Sequence, residues 1–106
     1  MLFRSKVKAR IVDIAQQMLD RRLSFLEGTV EICKLRTEAN VPSTDSDFDV
    51  LSMVDSEIDG LPVGSVRALW SKSALHRLEP ELSRSEDWAF KTAADACRAI
   101  IHRFRA

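Results

Sequence analysis

The sequence predicts an all-α fold, a single-domain bundle of four to five unequal helices that takes in residues 1–106. Apolar residues recur at spacings of three and four in several segments, a pattern typical of helices that bury one face. No segment shows the sustained alternation of apolar and polar residues that is typical of a half-buried strand. With 106 residues, of which 45% are hydrophobic, the chain can bury a core without metal or disulfide support. Three glycines and three prolines exclude collagen-like and low-complexity classes.

The first two helices are predicted over residues 4–22 and 24–38. The first has Ser5 as its expected cap, and its apolar stripe consists of Val7, Ile11, Ile14, Ala15 and Met18. The second begins at a capping box, Ser24-Phe25-Leu26-Glu27, in which the hydroxyl and the carboxylate satisfy free backbone N–H groups. Because the connection around residues 21–23 is short, we expect the two helices to form an antiparallel hairpin or one kinked helix.

Turn-forming residues separate the second helix from a short third one. The run over residues 40–47 is rich in turn formers, and Pro42 forbids a continuous helix there. The third helix is predicted over residues 48–58. Three residues are available as its N-cap: Asp45, Ser46 and Asp47. A tight break follows at residues 60–64, where two glycines permit positive φ and Pro62 fixes a further dihedral angle.

The C-terminal part is predicted to contain two more helical stretches. The first covers residues 65–78, and Glu79-Pro80-Glu81 interrupts it. The last helix is capped by Ser83 or Ser85 and runs from Trp88 onward, with arginines near its end, where the helix dipole favours cations. The core is predicted to close around five aromatic residues: Phe25, Phe48, Trp70, Trp88 and Phe104.

The net charge of zero conceals three segments of different charge. Residues 1–22 carry six basic and two acidic groups (+4), residues 23–60 carry two and nine (−7), and residues 61–106 carry eight and five (+3). Such a distribution favours local fields that steer partners although the total charge vanishes. Two interpretations stay open: the acidic middle faces the basic flanks inside the folded domain, or it faces a basic partner.

No motif in the sequence predicts an enzyme. The phosphate-loop, dinucleotide, nucleophile-elbow and zinc-protease signatures do not occur, and neither His76 nor His102 stands in a catalytic pattern. The run Asp45-Ser46-Asp47-Phe48-Asp49 resembles the opening of a calcium loop. However, Val50 stands where that loop needs glycine, and Ser56 stands where it needs the closing acid. We therefore expect no catalytic residue, no metal and no cofactor.

Cysteine use and hydropathy indicate the compartment. Cys33 and Cys97 are predicted to be buried free thiols, because each has apolar neighbours and neither belongs to a CxxC pair. The N-terminus has basic residues but no apolar segment of the kind that secretory signals have, and no stretch is long enough to span a membrane. We expect a cytoplasmic protein without a membrane role.

A candidate recognition surface is predicted in the middle of the chain. Acidic residues, a rigid turn, an arginine and a tryptophan occur together in residues 55–70, and Arg and Trp are over-represented in binding hot spots. The predicted partner-binding residues are Asp45, Asp47, Asp49, Asp55, Glu57, Asp59, Arg67 and Trp70. On a nuclease-like partner these carboxylates would mimic nucleic-acid phosphates. The alternative is that Trp70 belongs to the core and Arg67 only pairs with Asp59 or Glu57.

Basic residues cluster at both ends of the chain, which is the pattern of a phosphate-binding patch if the two ends meet. The clusters are Arg4, Lys6, Lys8 and Arg10, and Arg98, Arg103 and Arg105. The zero net charge argues against a dedicated nucleic-acid binder, so a nucleic-acid partner is a minor alternative.

Several stretches resemble a family of small bacterial cytoplasmic proteins of unknown function. They are Ser24-Phe25-Leu26-Glu27-Gly28 with Ile32, Leu35 and Arg36, then Asp55-Ser56-Glu57 leading to Leu61-Pro62-Val63-Gly64, Val66-Arg67 and Trp70, and finally Glu86 with Trp88-Ala89. The resemblance covers most of the chain and implies a helical domain of bacterial origin, without an activity or a catalytic residue to carry over. In size and organisation the chain is also similar to immunity proteins, which neutralise toxins.

The function predicted from the sequence is a non-enzymatic protein-binding module. Its partner is expected to be a basic toxin domain that the acidic central surface neutralises. Two alternatives stay open. One is a structural or regulatory module that self-associates into a homo-oligomer, and the other is a nucleic-acid binder that uses the terminal basic clusters.

Overall fold

In a computed structural model that describes the backbone of residues 2–105 and the side chains of residues 6–105, most of the chain is helical. It forms four α-helices, α1 (Leu2–Leu19), α2 (Phe25–Leu35), α3 (Ser46–Glu57) and α4 (Lys72–Arg105), and one 3-10 helix (Gly64–Leu69) between α3 and α4. The described residues contain no strand. The predicted all-α bundle of four to five unequal helices is therefore confirmed.

Contacts between the helix ends show that α1 and α4 run antiparallel. Near the start of α1, the Nζ atom of Lys8 lies 5.2 Å from the ring centroid of Phe104 at the end of α4. After the end of α1, the guanidinium of Arg21 lies 3.8 Å from the ring centroid of Phe90. The two helices thus pack along the 18 residues of α1, and the remaining part of the longer α4 extends past them.

The other two helices complete an up-down-up-down arrangement. The first turn of α3 lies beside the end of α4, where Arg103 donates hydrogen bonds to Asp45. The first turn of α2 instead lies beside the middle of α4, where its backbone N–H groups bond to Glu86. Consequently α3 runs antiparallel to α4 and α2 runs parallel to it, and each of the other three α-helices packs against α4.

The core lies between these four helices and is closed by two aromatic pairs. Phe25 meets Phe90 edge to face with ring centroids 5.4 Å apart, and Phe48 meets Phe104 at 5.8 Å. Phe25 and Phe48 are buried as predicted, and Phe104 packs partly buried against the core. The prediction was wrong for Trp88, which is 39% exposed, and Trp70 is only partly buried beside the 3-10 helix.

Gly28 sets how closely α1 and α2 approach. A Cβ atom at this position would lie 2.3 Å from the side chain of Met18, which is itself fully buried. Since a Cβ atom here would force the buried Met18 side chain to move, glycine allows the close crossing of the two helices. The two helices are separated by residues 20–24, with Arg21 in the left-handed region (φ 61), so the predicted hairpin is confirmed.

The start of α2 is bonded to α4 rather than only to itself. Ser24 Oγ accepts a hydrogen bond from the backbone N–H of Glu27 at 3.2 Å, as the capping box predicts. The carboxylate of Glu86 accepts hydrogen bonds from the N–H groups of Phe25 (2.9 Å) and Leu26 (3.3 Å) and from the hydroxyl of Ser24. A negative group at a helix N-terminus also complements the helix dipole.

The carboxylate of Glu27 caps the start of the 3-10 helix instead of its own helix. It does not turn back to Ser24 but accepts the backbone N–H of Gly64, at 2.9 and 3.0 Å from its two oxygens. Gly64 begins the 3-10 helix and has φ 74, and Gly60 before it has φ 90, in agreement with the predicted tight break. The Glu27 side chain therefore fixes the 3-10 helix against α2.

The predicted interruption at Glu79-Pro80-Glu81 is wrong, because Pro80 lies inside α4. The helix begins after Ser71, whose Oγ accepts the N–H of Ala74 at 3.1 Å, so Ser83 and Ser85 lie within it and are not its caps. Proline removes one N–H that would bond the carbonyl of His76. Both residues are exposed, so water can satisfy that carbonyl and the helix continues.

The first half of α4 has no buried residue, and this distinguishes it from the second half. None of residues 71–88 is buried, whereas seven residues of α4 from Ala89 onward are. We call residues 71–85 the α4 extension. It accounts for the elongated shape of the molecule, which measures 45 × 25 × 25 Å.

The remaining helix bounds differ from the predictions by a few residues. α1 begins at Leu2, so Ser5 lies inside the helix rather than before it. α3 begins with Asp45 as its N-cap, and this carboxylate accepts the N–H groups of Asp47 and Phe48, both at 3.1 Å. Among the residues that the structure describes, no helix is long and apolar enough to cross a membrane.

We expect Glu86→Ala to lower the free energy of unfolding by about 1–2 kcal/mol, because two backbone N–H groups and one hydroxyl lose their acceptor. Glu81→Ala, on the exposed part of the same helix, is the matched control and should change it by less than about 0.5 kcal/mol. Urea unfolding followed by circular dichroism measures both. Equal losses in the free energy of unfolding for the two substitutions would contradict the conclusion that Glu86 fixes the start of α2 to α4.

Candidate functional site

Six of the eight predicted partner-binding residues, the acids, fall into two groups along α3. Asp45, Asp47 and Asp49 lie at its start, and Asp55, Glu57 and Asp59 lie at or just after its end. The two ends of this 12-residue helix are about 18 Å apart, and the nearest members of the groups, Asp49 and Asp55, about 9 Å, at a rise of about 1.5 Å per residue. Arg67 belongs to the 3-10 helix, and Trp70 follows it.

Arginines of the same chain engage the first group. Arg103 donates to Asp45 at 2.9 and 3.2 Å and to Asp47 at 3.1 Å. Arg36 donates to Asp49 at 3.1 Å and also to the hydroxyl of Ser52 and the carbonyl of Pro42. At this end of the molecule the acidic middle of the sequence does face a basic flank, as one interpretation predicted.

The pKa of Asp45 follows from these bonds. Burial by itself would raise it, but the hydrogen bonds from Arg103 and from the backbone N–H groups of Phe48 and Asp47 outweigh burial. The pKa therefore lies below its ordinary value of 3.8. The charged carboxylate stabilises the native state above that ordinary value, and the stabilisation is lost as the pH falls through the native pKa.

Two acids of the second group line an open groove. Asp55 and Asp59 line a space of about 410 Å³ together with Val66 and Trp70 of the 3-10 helix segment. The rest of the lining consists of Gly60 and four apolar residues: Val30, Ile58, Leu61 and Val63. We call this the α3 groove. Glu57 is exposed and does not line it.

The carboxylates of the α3 groove are poorly compensated. Burial raises the pKa of Asp55 above its ordinary value, the negative charge of Asp59 raises it further, and Lys34 opposes both. A half-buried carboxylate next to another carboxylate is stabilised by any cation that enters. An arginine or lysine side chain of a partner provides such a cation, and its aliphatic part can pack on Trp70 and Val66.

The 3-10 helix also forms one wall of a second space, on the side of α4. Arg67 lines it together with Leu75, Glu79 and Leu82 of the α4 extension, and with Glu86 at its base. The space measures about 480 Å³. We call it the α4 groove. Arg67 is thus placed apart from Asp55 and Asp59, and its guanidinium bonds only weakly, at 3.5 Å, to the carbonyl of Pro62.

Neither the α4 groove nor the place of Val66 in the α3 groove was predicted from the sequence. The groove requires α4 to continue through Pro80, which the proline rule argued against. Val66 lies in the helical stretch predicted over residues 65–78, but in the structure it belongs to the 3-10 helix, is 44% exposed and lines the α3 groove with its two carboxylates. The sequence feature that could have predicted a continuous α4 is the set of leucines at residues 75, 78 and 82, which keeps helical spacing across Pro80.

Both thiols are poor nucleophiles. Burial and the charge of Asp55 raise the pKa of the Cys33 thiol to about 11, and burial raises that of Cys97 to about 12. Cys97 is buried as predicted, whereas Cys33 is only partly buried. Near neutral pH both thiols are therefore protonated, and neither is an activated nucleophile.

The terminal basic clusters are neighbours in the fold. Lys8 reaches Phe104, so Lys6 and Lys8 lie at the same end of the bundle as Arg105. Arg103 is paired with Asp45 and Asp47, and Arg98 is paired with Asp95 at 2.6 Å. The side chain of Arg4 lies outside the described residues. In the part of the chain that the structure describes, no three metal-ligating side chains converge.

Comparison with protein-family models, with curated proteins and with solved structures gave no match. The resemblance to a family of small bacterial proteins therefore stays a prediction.

We expect Asp45→Asn to lower the free energy of unfolding by about 1 kcal/mol at pH 7, because the amide keeps the N-cap but loses the ionic bond to the half-exposed Arg103. Asp45→Ala also loses the cap and should cost about 1 kcal/mol more. The difference in the free energy of unfolding between wild type and Asp45→Asn should vanish as the pH is lowered through the native pKa of Asp45. Thermal unfolding between pH 7 and acidic pH tests this, and a pH-independent difference would contradict it.

Proposed function

We propose that the protein is a non-enzymatic protein-binding module whose α3 groove takes a basic segment of a partner protein. The observation that supports this most directly is the pairing of two poorly compensated carboxylates, Asp55 and Asp59, with the accessible apolar surface of Val66 and Trp70. A short segment with one lysine or arginine next to an apolar residue matches both sides of the groove.

The rest of the molecule supports a rigid position for this groove. Its floor includes Ile58, which is buried, and Val63 in the turn before the 3-10 helix. Glu27 holds the first residue of that helix by two short contacts to the N–H of Gly64. A preformed groove reduces the ordering cost of binding.

The partner class in this proposal is a basic toxin domain, with the chain acting as its immunity protein in a bacterial cytoplasm. Asp55 and Asp59 would take the place of the phosphates that such a domain binds. Glu57 is exposed beside the groove and would contribute to long-range attraction rather than to the contact itself. The acids at the start of α3 have a smaller part in this proposal, because Arg103 and Arg36 already engage them.

A peptide selection followed by fluorescence titration tests the groove. A random peptide library displayed on phage is selected on the protein, and we expect enriched peptides to carry lysine or arginine next to an apolar residue. The selected peptide is then titrated into Trp88→Phe, in which Trp70 is the remaining tryptophan and reports binding. Asp55→Asn with Asp59→Asn should weaken binding about tenfold or more, since both carboxylates contact the cation.

Glu57→Gln is the matched control, because it also removes one carboxylate near the end of α3 but lies outside the groove. It should change the affinity at most about twofold at physiological salt. Binding should also weaken as the pH falls through the raised pKa of Asp55. Enrichment of peptides without basic residues, or equal effects of the groove and control substitutions, would contradict the proposal.

Capture from the native host tests the partner class. Wild-type protein should retain one basic toxin at equimolar ratio, identified by mass spectrometry, and Asp55→Lys with Asp59→Lys should lose it while Glu57→Lys keeps it. A retained partner of acidic character would overturn the toxin proposal. Whether the α3 groove binds basic segments would then be decided by the peptide experiment alone.

A further inference from the structure

The α4 extension has an apolar stripe that continues the core-facing side of α4. Leu75, Leu78 and Leu82 follow one another at spacings of three and four residues, and Ala89, seven residues further on, is fully buried in the core. The three leucines are only partly buried, and Leu69 just before the helix is 85% exposed. This part of the stripe therefore has room for another apolar surface.

The α4 groove has the dimensions and chemistry to accept part of a helix. The extension forms one wall with Leu75, Glu79 and Leu82, and Arg67 of the 3-10 helix lies on the other. Its 480 Å³ hold a few side chains rather than a whole helix. An amphipathic helix that lays its apolar face along such a wall is a common mode of recognition.

The charges of the extension identify which helix fits. Lys72 and Glu79 lie two helical turns apart on the same flank of the stripe, and the extension as a whole has both signs of charge, with three basic and two acidic groups, histidine excluded. If two extensions pack antiparallel with Leu75 against the partner's Leu78, Lys72 of each copy comes opposite the partner's Glu79. Both ion pairs form at once because of the two-fold symmetry.

A parallel arrangement of the same helices is disfavoured by charge. In that arrangement Lys72 of one copy would lie level with the partner's Lys72, and Glu79 level with the partner's Glu79, so the two Lys72–Glu79 ion pairs would not form. A nucleic acid would need a surface of one charge sign, which the extension does not have.

We propose that the α4 extension is a self-association surface through which two copies of this chain form an antiparallel, two-fold symmetric dimer. In this dimer the exposed Leu69 of each copy packs near the partner's Leu82. The contact covers about four helical turns, at about 3.6 residues per turn, and is therefore smaller than that of obligate dimers. We expect an association that depends on concentration. The α3 groove and the α4 groove share no lining residue, so this inference does not rest on the proposed function.

Light scattering or sedimentation of the full chain from about 1 μM to about 1 mM tests the dimer, since contacts of this size associate in that range. The wild type should shift from the mass of one chain to that of two. Leu78→Glu should remain at the mass of one chain. Because none of residues 71–88 is buried, this variant should keep the circular dichroism spectrum of the wild type.

A charge exchange tests the antiparallel register. Lys72→Glu and Glu79→Lys alone should each weaken the dimer about tenfold, because each replaces two attractive pairs with two repulsive ones. The double variant should regain the wild-type association. Lys91→Glu, an equal change of charge on the exposed face of α4 inside the bundle, should leave it unchanged. A wild type with the mass of one chain at every concentration, or a double variant no better than the single ones, would overturn the proposal.

Discussion

The carboxylate of Glu86 is the constraint on which the arrangement of the helices depends. It takes up the free N–H groups at the start of α2 and thereby fixes α2 lengthwise along α4. Ser24 shares the same carboxylate and caps the N–H of Glu27, and the Glu27 carboxylate in turn holds Gly64. One chain of polar contacts thus runs from α4 through α2 to the 3-10 helix, which forms a wall of both grooves.

The parts of the fold that local sequence determines could be predicted. Helical periodicity, the Ser24 cap, the N-cap of α3 and the turn at residues 60–64 each involve residues within a few positions of one another. The partners of Glu86 and Glu27 could not, since they lie 60 to 62 and 37 residues away in the chain. The helix was wrongly predicted to break at Pro80, because that expectation assumes that the carbonyl left without an N–H partner is buried.

The candidate site was predicted in part, because the sequence shows how many charges there are but not where they lie. Nine acids in residues 23–60 suggested one acidic surface, yet the six predicted site acids divide between the two ends of α3, which lie about 18 Å apart, whereas salt screens a charge over about 10 Å. The acids at the start of α3 meet Arg103 and Arg36, and those at its end meet Trp70. Only the tertiary fold distinguishes a carboxylate that holds the bundle together from one that is open to a partner.

The contrast between the two halves of α4 implies that a single helix has two levels of local stability. Amides after Ala89 lie against the buried core and should exchange their hydrogens only when the whole bundle opens. Amides of residues 72–85 have little support beyond helical hydrogen bonds and the packing of Leu82 against the core, so they can open by fraying from Ser71 toward Pro80, which has no amide of its own to close the next turn. The end of the molecule that carries the leucine stripe is therefore also the end that unfolds first.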